Sequence, residues 1–452
     1  MDNSCLSLQF PAVDGRDVVA RFDGGEVTSD AGLLLLRRAD QKLGLLSALA
    51  RQVVDRRQAS KVEHSIEEMM RERVYAIAQG YEDANDLDYL RRDPALKLVC
   101  EKSPLSGSAL ASQPTMSRLE NRIGRKDLLR MGLALARQVV DQLPRRTRHV
   151  VMDVDATPDP CHGQQELEFF NGHYDCHCYL PLHVYITGPD GRQRLLASLL
   201  RPGNAGYRVG LFGLLRLAER ILRKRFPRLR ITLRADAGFG YEPVISFCER
   251  HDLGYVLGLS TNKRLEALSM PVQMDTAIKH WLLHDARPEY SEISYKADSW
   301  PHKRRVVVKV EVAEDPVGRH CKKLNARYVV TSRHCSPERV YGFYCERGDR
   351  ENRIKEGKQD CFTDRTSCHR FAANQFRLLL HSAAYVLMQT LQEAAQGTQW
   401  ARAQAGTLRL RLMKVAARVV ESSRKIWFHL PTSFPHQAAW QHMYRALSDP
   451  VT

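Results

Sequence analysis

Apolar residues recur at helical spacing through the first third of the chain and at alternating spacing directly after it, with the change near Arg148. Up to about residue 145 the pattern predicts a mainly helical region. Ser29-Asp30 offers an N-cap to an apolar-periodic run through Ala50, and Ser65-Ile66-Glu67-Glu68 reads as a capping box before MMRERVYAIAQGY. A further helix, rich in Arg and Lys, begins between Ser112 and Thr115. For it, DNA-end binding and a solvated basic face are both open readings. From Arg148 the runs HVVMDVDAT, HYDCHCYLPLHVYITG and RQRLLASLLRPGN predict three consecutive antiparallel strands, with Gly-Pro-Asp-Gly at 188 to 191 as a hairpin turn. A helix near 208–226, the strand RITLRAD, a helix at EPVISFCERH and the strand GYVLGLS follow. Such an order is that of an α/β protein. Between 263 and 335 the runs YSEISYK, RRVVVKVEV and ARYVVTS predict a β-rich insertion. Helix resumes after Ser336 and again over FAANQFRLLLHSAAYVLMQTLQ, while the state of 401–430 stays open between helix and strand.

Composition narrows the partner before it says anything of the reaction. A 452-residue chain that is 43% hydrophobic buries a large core. Its 68 Lys and Arg against 52 Asp and Glu leave a formal charge of +16, spread along the sequence, and an extended polyanion is the natural partner. The tail is especially basic, with Arg402, Arg409, Arg411, Lys414, Arg418, Arg424 and Lys425 against Glu421. Eleven scattered cysteines, an odd number, do not form a disulfide framework and fit a reducing cytoplasm. No signal-peptide run opens the sequence and no membrane-length apolar stretch occurs in it, so a soluble protein is expected.

The densest chemistry lies at Tyr344, Arg347, Glu351 and Lys358, spaced Y-x2-R-x3-E-x6-K. On one continuous helix all four would fall within about 60° of one another. One carboxylate among an Arg fork, a Lys point charge and a phenol suits an enzyme that holds a metal and grips a nucleic-acid backbone. Gly348 and Gly357 weaken a continuous helix, so Tyr344 and Arg347 are expected on a turn before it. Two-metal phosphoryl chemistry needs more than one acid. In HVVMDVDAT, Asp153 and Asp155 share one strand face, and either is a candidate first acid because carboxylates inside an apolar strand need a compensating partner. Asp236 ends RITLRAD before Ala-Gly-Phe-Gly, where glycines allow close approach of a ligand.

With Asp155, Asp236 and Glu351 in this order, the chain resembles the DDE transposases of bacterial insertion sequences, in the branch marked by a Y-R-E-K signature. It is most similar to the insertion-sequence-1380 family. The likeness rests on DVDATPDPCHGQQELEFFNG, CYLPLHV, LLRPGN, RADAGFG, YCERGDRENRIKEGKQD and HRFAANQFRLLLHSAAYVL, with GYEDANDLDYLRRDPAL and SQPTMSRLENR upstream. It implies a ribonuclease H-like catalytic core (146–262), a β-rich insertion (263–335), a core completion carrying the Glu helix and basic C-terminal region (336–452), and a helical N-terminal DNA-binding region (1–145). It also implies Asp155, Asp236 and Glu351 as catalytic, metal-binding acids, and Tyr344, Arg347 and Lys358 as DNA-gripping groups. Asp155 is preferred to Asp153 because Asp155-Ala156-Thr157 resembles the first-acid motif of related families. The implied cofactor is a pair of Mg²⁺ ions, with Mn²⁺ as a substitute. The implied partners are double-stranded DNA, as transposon ends and as target, and a second copy of the chain in a synaptic homodimer. No membrane is involved, and the location is bacterial cytoplasm at the nucleoid.

Other features carry competing readings. Cys161-His162 and His173, Cys176, His177 and Cys178 invite zinc, yet paired C-x2-C elements are missing and strand alternation separates the two Cys from the two His, which favours buried thiols. His162 and Gln165 suit either DNA orientation or turn stabilisation, Asn204 either cleft lining or turn chemistry, and Asn374 and Arg377 either DNA contact or a satisfied buried pair. Two rival functions stand beside transposition: a ribonuclease H-like nuclease without strand transfer, and a catalytically silent DNA-binding protein.

Overall fold

The apolar strands that begin at His149 assemble into an eight-stranded sheet within a mixed α/β fold. The computed structural model describes residues 7–283, 287–313 and 323–448. Two units are distinguished: Met1–Ala134, Glu356–Arg365 and Ala372–Thr452 form one, and Leu135–Lys355 with Thr366–Phe371 form the other.

The second unit holds the large sheet. Numbered along the chain, its strands are β1 His149–Ala156, β2 Leu182–Thr187, β3 Gln193–Leu199, β4 Arg230–Ala235, β5 Gly254–Leu259, β6 Glu289–Tyr295, β7 Arg304–Ala313 and β8 Lys323–Thr331. Their order across the sheet is β6-β7-β8-β5-β4-β1-β2-β3. The expected antiparallel meander is present as β1, β2 and β3, joined between β2 and β3 by a turn in which Gly191 takes φ 70°. HYDCHCYLPLHVYITG divides into two strands, because Cys176–Tyr179 pairs in a separate three-stranded sheet with Asp159–Pro160 and Phe169–Asn171. β4 runs parallel to both β1 and β5, reached through crossover helices Leu211–Arg225 and Glu242–Arg250. Burial on both faces explains why β5 reads as a near-continuous apolar run, whereas β4 alternates Ile231, Leu233 and Ala235 with Thr232 and Arg234, which are buried as well. The stretch after β5 opens with a helix, Lys263–Leu283, which contains Pro271, before β6, β7 and β8 continue the sheet antiparallel. Proline inside a helical pattern normally ends it, and that masks this helix in the sequence.

In the first unit, helix Ile66–Ala78 starts as its sequence predicts, with Ser65 Oγ accepting from the Glu68 amide at 3.0 Å. The earlier helix starts differently. Asp30 does not cap it; helix Leu33–Leu43 begins after Gly32, where a Cβ would meet Met413 Cα at 2.2 Å, and Gly44 at φ 64° separates it from Leu45–Ala50. Asp30 instead accepts from Tyr81 Oη at 2.8 Å and Lys414 Nζ at 2.7 Å. The basic tail resolves into helix Ala405–Leu408, a wide turn at Arg409–Met413 and strands Ala417–Glu421 and Ile426–His429, which form a small sheet with Val27–Thr28. Part of its charge is internal, since Arg409 also donates to Ala78 O at 2.8 Å. Arg377 and Asn374 follow the buried reading: Arg377 Nε donates to the buried Glu120 at 2.9 Å and Asn374 is wholly buried. Among the described residues no helix is long and apolar enough to cross a membrane.

Candidate active site

Parallel pairing of β1 with β4 decides where the acids stand. Arg234 lies opposite Asp153 in the ladder, and the same offset carried two residues onward sets Asp236 beside Asp155. Neighbouring strands are about 4.8 Å apart. Both carboxylates therefore leave the same edge of the sheet, at the carboxyl ends of adjacent parallel strands. Each is half-buried. Asp155 Oδ1 accepts from the Ala156 amide at 3.0 Å, and Asp236 Oδ1 accepts from the Gly238 amide at 2.9 Å, which holds the turn Ala237–Phe239.

Asp153, two residues deeper, is fully buried and differently engaged. Its oxygens accept from Arg234 Nε at 2.7 Å and Nη2 at 3.0 Å, and Gln193 Nε2 donates to Oδ2 at 3.2 Å. The remaining Arg234 arm, Nη1, donates to Phe343 O at 2.6 Å and to Glu346 Oε2 at 3.1 Å. Of the two acids on the strand face, Asp155 is the one at the open edge.

The Y-R-E-K segment is not one helix. Tyr344 lies in helix Pro337–Cys345, Arg347 lies between helices, and Glu351 and Lys358 lie in helix Gly348–Cys361. Val340 and Tyr341 bury the first helix against Val256, Val307 and Val329 of β5, β7 and β8, and Tyr344 packs beside them. Gly258 of β5 admits the phenol: a Cβ there would lie 2.6 Å from Tyr344 Oη and 2.7 Å from the Ala237 amide nitrogen. The phenol thus sits over the strand next to the Asp236 turn. Arg347 then links two acids, with Nη2 2.6 Å from Glu351 Oε1 and Nη1 3.9 Å from Asp236 Oδ2, and its guanidinium 5.9 Å from the Tyr344 ring centroid. Lys358 is two turns along the same helix, on the stretch Glu356–Arg365 that belongs to the first unit, with Nζ 3.9 Å from Asp364 Oδ2.

Tyr174 escaped the sequence reading. Burial pushes its hydroxyl pKa up, and the charges of Asp155 and Asp236 add to the rise while Arg201 opposes it, so the phenol stands in the field of both acids. Arg201, of the LRPGN run, is buried and donates from Nε to Leu180 O at 2.8 Å. Only the position of Tyr174, in the turn between Phe169–Asn171 and Cys176–Tyr179 shortly after Asp155, hinted at this. The cysteines nearby are not thiolates: burial raises Cys161 to about 12 and Cys178 to about 11, and His177 Nδ1 faces Glu168 at 2.8 Å. His162 and Asn204 are exposed, and Gln165 is half-buried.

Comparison with known families places the chain as a whole: the model described as Transposase DDE domain group 1 matches residues 10–451. The chain belongs to that family. Its members are DNA transposases, which recombine DNA by metal-dependent cleavage. Comparison with curated proteins gives no match. The donor set of this family member fits a hard divalent cation, because two half-buried carboxylates end adjacent strands and hard cations prefer such oxygen ligands. Among the described residues no three His, Cys, Asp or Glu side chains are gathered at metal-holding spacing. Glu351 is paired with the Arg347 guanidinium, whose other arm faces Asp236.

Proposed function

We propose that this transposase binds the terminal inverted repeats of a transposon, cleaves the ends, and transfers the freed 3′-hydroxyl strand to target DNA as a homodimer. Asp155, Asp236 and Glu351 are its catalytic and metal-binding acids. The observation that carries the reading is the convergence of Asp155 and Asp236 on adjacent parallel strand ends, with Glu351 joined to the Asp236 side through one guanidinium. The strand order β3-β2-β1-β4-β5, a meander followed by two parallel strands, supports a ribonuclease H-like core, with helix Lys263–Leu283 and β6 to β8 as the insertion before Glu351. The unbroken Y-R-E-K spacing supports placement in the insertion-sequence-1380 branch.

A pair of divalent ions, Mg²⁺ with Mn²⁺ as substitute, supplies when bound an activated nucleophile and stabilisation of the leaving oxygen in an in-line displacement at phosphorus. The protein's own groups do the rest. Asp155 and Asp236 present oxygens from rigid strands, which keeps their spacing fixed between cleavage and transfer. Tyr344, Arg347 and Lys358 grip the phosphates of the transposon end, Arg347 by its planar fork and Lys358 as a point charge. Arg347 reaches both Asp236 and Glu351, so it lies where backbone charge must be met.

DNA docking is assigned to the N-terminal region. Helices Gln113–Arg122 and Arg125–Asp141 meet at Ile123-Gly124, and Arg118, Arg122, Arg125 and Lys126 are exposed there without an ion-pair partner among the described residues. Nearby acids are already engaged, Asp127 by Arg130, Asp55 by Arg57 and Glu120 by Arg377. The result is an uncompensated cationic stripe of the kind that binds phosphates.

The test is to incubate purified protein with a labelled transposon-end duplex and target plasmid, with and without Mg²⁺. Joined product that requires Mg²⁺ and disappears in Asp155→Ala and Glu351→Ala is expected. Cleavage without joining would instead favour the nuclease, and DNA binding without cleavage the silent binding protein. Loss of activity in Asp153→Ala with retention in Asp155→Ala would overturn the choice of first acid.

A further inference from the structure

Three of the four segments that build the site meet at one guanidinium that touches none of the reacting atoms. Arg234 precedes Asp236 by two residues on β4, and Asp153 precedes Asp155 by two on β1, so the pair lies one pleat below the acids on the same face. The bond is bidentate and almost wholly desolvated, with 3% of the Arg234 side chain and none of Asp153 exposed. The third guanidinium nitrogen leaves the sheet and donates to Phe343 O and Glu346 Oε2, the residues that immediately precede Tyr344 and Arg347. Phe343 is fixed from both sides, its ring centroid 4.9 Å from the Arg234 guanidinium carbon and 4.2 Å from that of Arg333. Gln193 of β3 completes the Asp153 carboxylate.

A buried ion pair of this kind is a poor source of stability, because desolvation offsets most of its attraction and well-packed apolar side chains often do as well. Its distinctive property is geometric. The planar fork locks the stagger of two strands with two bonds and aims a third at a fixed point on the connecting segment. Lysine in the same place would keep the charge and lose the fork.

We infer that Asp153 and Arg234 are positioning residues for the acid site, tying the strand ends that carry Asp155 and Asp236 to the segment that carries Tyr344, Arg347 and Glu351. Asp153, a candidate for the first acid by sequence, thereby acquires a different role. The inference rests on the transposase reading of these acids. Through the fork, a shift of the Phe343–Glu346 segment relative to the sheet is resisted at its backbone carbonyl, and Glu351 is kept within reach of the Asp236 edge.

The experiment compares parent, Arg234→Lys and Glu346→Gln as full-length proteins in three measurements: Mn²⁺ affinity by electron paramagnetic resonance, end-duplex affinity, and Mg²⁺-dependent cleavage. Arg234→Lys is expected to weaken Mn²⁺ binding and cleavage by about 10- to 100-fold, the range typical of lost groups behind metal ligands, with a smaller loss of end-duplex affinity through Tyr344 and Arg347 on the tied segment. A purely structural role would lower the unfolding midpoint and leave Mn²⁺ affinity of the folded protein alone. Folded Arg234→Lys with parental Mn²⁺ affinity and cleavage overturns the inference. Should Arg234→Lys not fold, Glu346→Gln decides, since its side chain is 62% exposed and its loss leaves the core intact. Cleavage reduced several-fold in Glu346→Gln supports the inference, and cleavage at the parental rate overturns it. A parent that neither binds Mn²⁺ nor cleaves would sink the transposase reading itself, which separates the two failures.

Discussion

Gly258→Ala tests whether the Asp236 turn and the Tyr344 phenol share one tightly filled space. The added Cβ would lie 2.6 Å from Tyr344 Oη, 2.7 Å from the Ala237 nitrogen and 3.1 Å from the Asp236 carbonyl carbon. Ordinary contact begins at about 3.5 Å, so the overlaps are roughly 0.9, 0.8 and 0.4 Å. The phenol is the far end of a flexible side chain and can swing away. Ala237 N and Asp236 C are backbone, in a turn closed by Asp236 Oδ1 to the Gly238 amide and by the Phe239 amide to Asp236 O at 3.1 Å. Several tenths of an ångström must therefore be taken up at Asp236 itself.

Overpacking of this size costs about 1–3 kcal/mol of stability, and a misplacement near 1 Å at a reacting centre costs on the order of 100-fold in rate. Gly258→Ala should lose roughly 10- to 100-fold in Mg²⁺-dependent end cleavage, beyond any loss of end-duplex affinity that comes from displacing the Tyr344 phenol. Gly342→Ala is the matched control, because a Cβ there meets nothing within 4 Å and lies in the interior of the helix that carries Tyr344. It should gain up to about 1 kcal/mol from helix propensity and keep full activity. Gel-resolved cleavage under single turnover, with thermal unfolding of both variants, reads the difference. Parental cleavage and an unchanged melting midpoint in Gly258→Ala would refute the proposed crowding.

Three further outcomes are expected. Replacing Arg118 and Arg122 by Ala should weaken binding of end and unrelated duplexes alike and lower the slope of log affinity against log salt by about 0.9 per lost phosphate contact; an unchanged slope would remove the N-terminal stripe from the interface. Burial pushes the carboxyl of Glu72 from 4.5 to about 8, and its Oε1 has no hydrogen-bond partner among the described residues. Because the folded pKa is raised, stability is fullest below the unfolded value and falls as pH rises from about 4.5 to 8. Glu72→Gln should therefore melt higher than the parent at pH 8 and lose that advantage near pH 4.5, and an equal gap at both pH values would contradict the assignment. Lys414→Met removes the cation from the nearly buried Asp30, side chain 3% exposed, and should cost about 3 kcal/mol or more without altering the pH dependence of cleavage; a melt like the parent's would show that the Tyr81 and Ser29 hydroxyls suffice.

What was legible in the chain followed from local rules. Alternation placed the strands of the meander, Ser65 marked its helix start, and the glycine at 348 marked the break between Arg347 and the Glu351 helix. What was not legible depends on partners distant in sequence. Asp30 looked like a cap because it precedes an apolar run, yet its real partners are Tyr81 and Lys414, and Gly32 is needed only because Met413 crosses there. The tail cations looked free for a polyanion, while Arg409 and Lys414 hold backbone and carboxylate groups inside their own unit. Helix Lys263–Leu283 was hidden by Pro271, and Tyr174 by its place in a turn whose sequence carries no mark of the acids whose charge it feels.

Asp153 and Asp155 define the limit most sharply. A period of two assigns both to one face and then has nothing more to say, because every second residue on a strand is equivalent by alternation. Depth along the strand breaks the tie, and depth is set by which neighbour ends where. β4 places a guanidinium opposite Asp153 and a carboxylate opposite the next residue on that face, so one position is neutralised internally and the other confronts like charge at an open edge. Carboxylates at the ends of adjacent strands repel one another, and on the proposed reading Asp155 and Asp236 are the pair that a cation would bind. Arg347 offsets part of that repulsion on the Asp236 side at 3.9 Å while holding Glu351 at 2.6 Å. On the proposed reading Asp155, Asp236 and Glu351 would hold a divalent cation, and Arg347 would meet phosphate charge beside the last two. The spacing R-x3-E then has a physical reason: an offset of four residues is about one helical turn, which brings the arginine and the acid together, and on the proposed reading lets the same arginine grip the substrate.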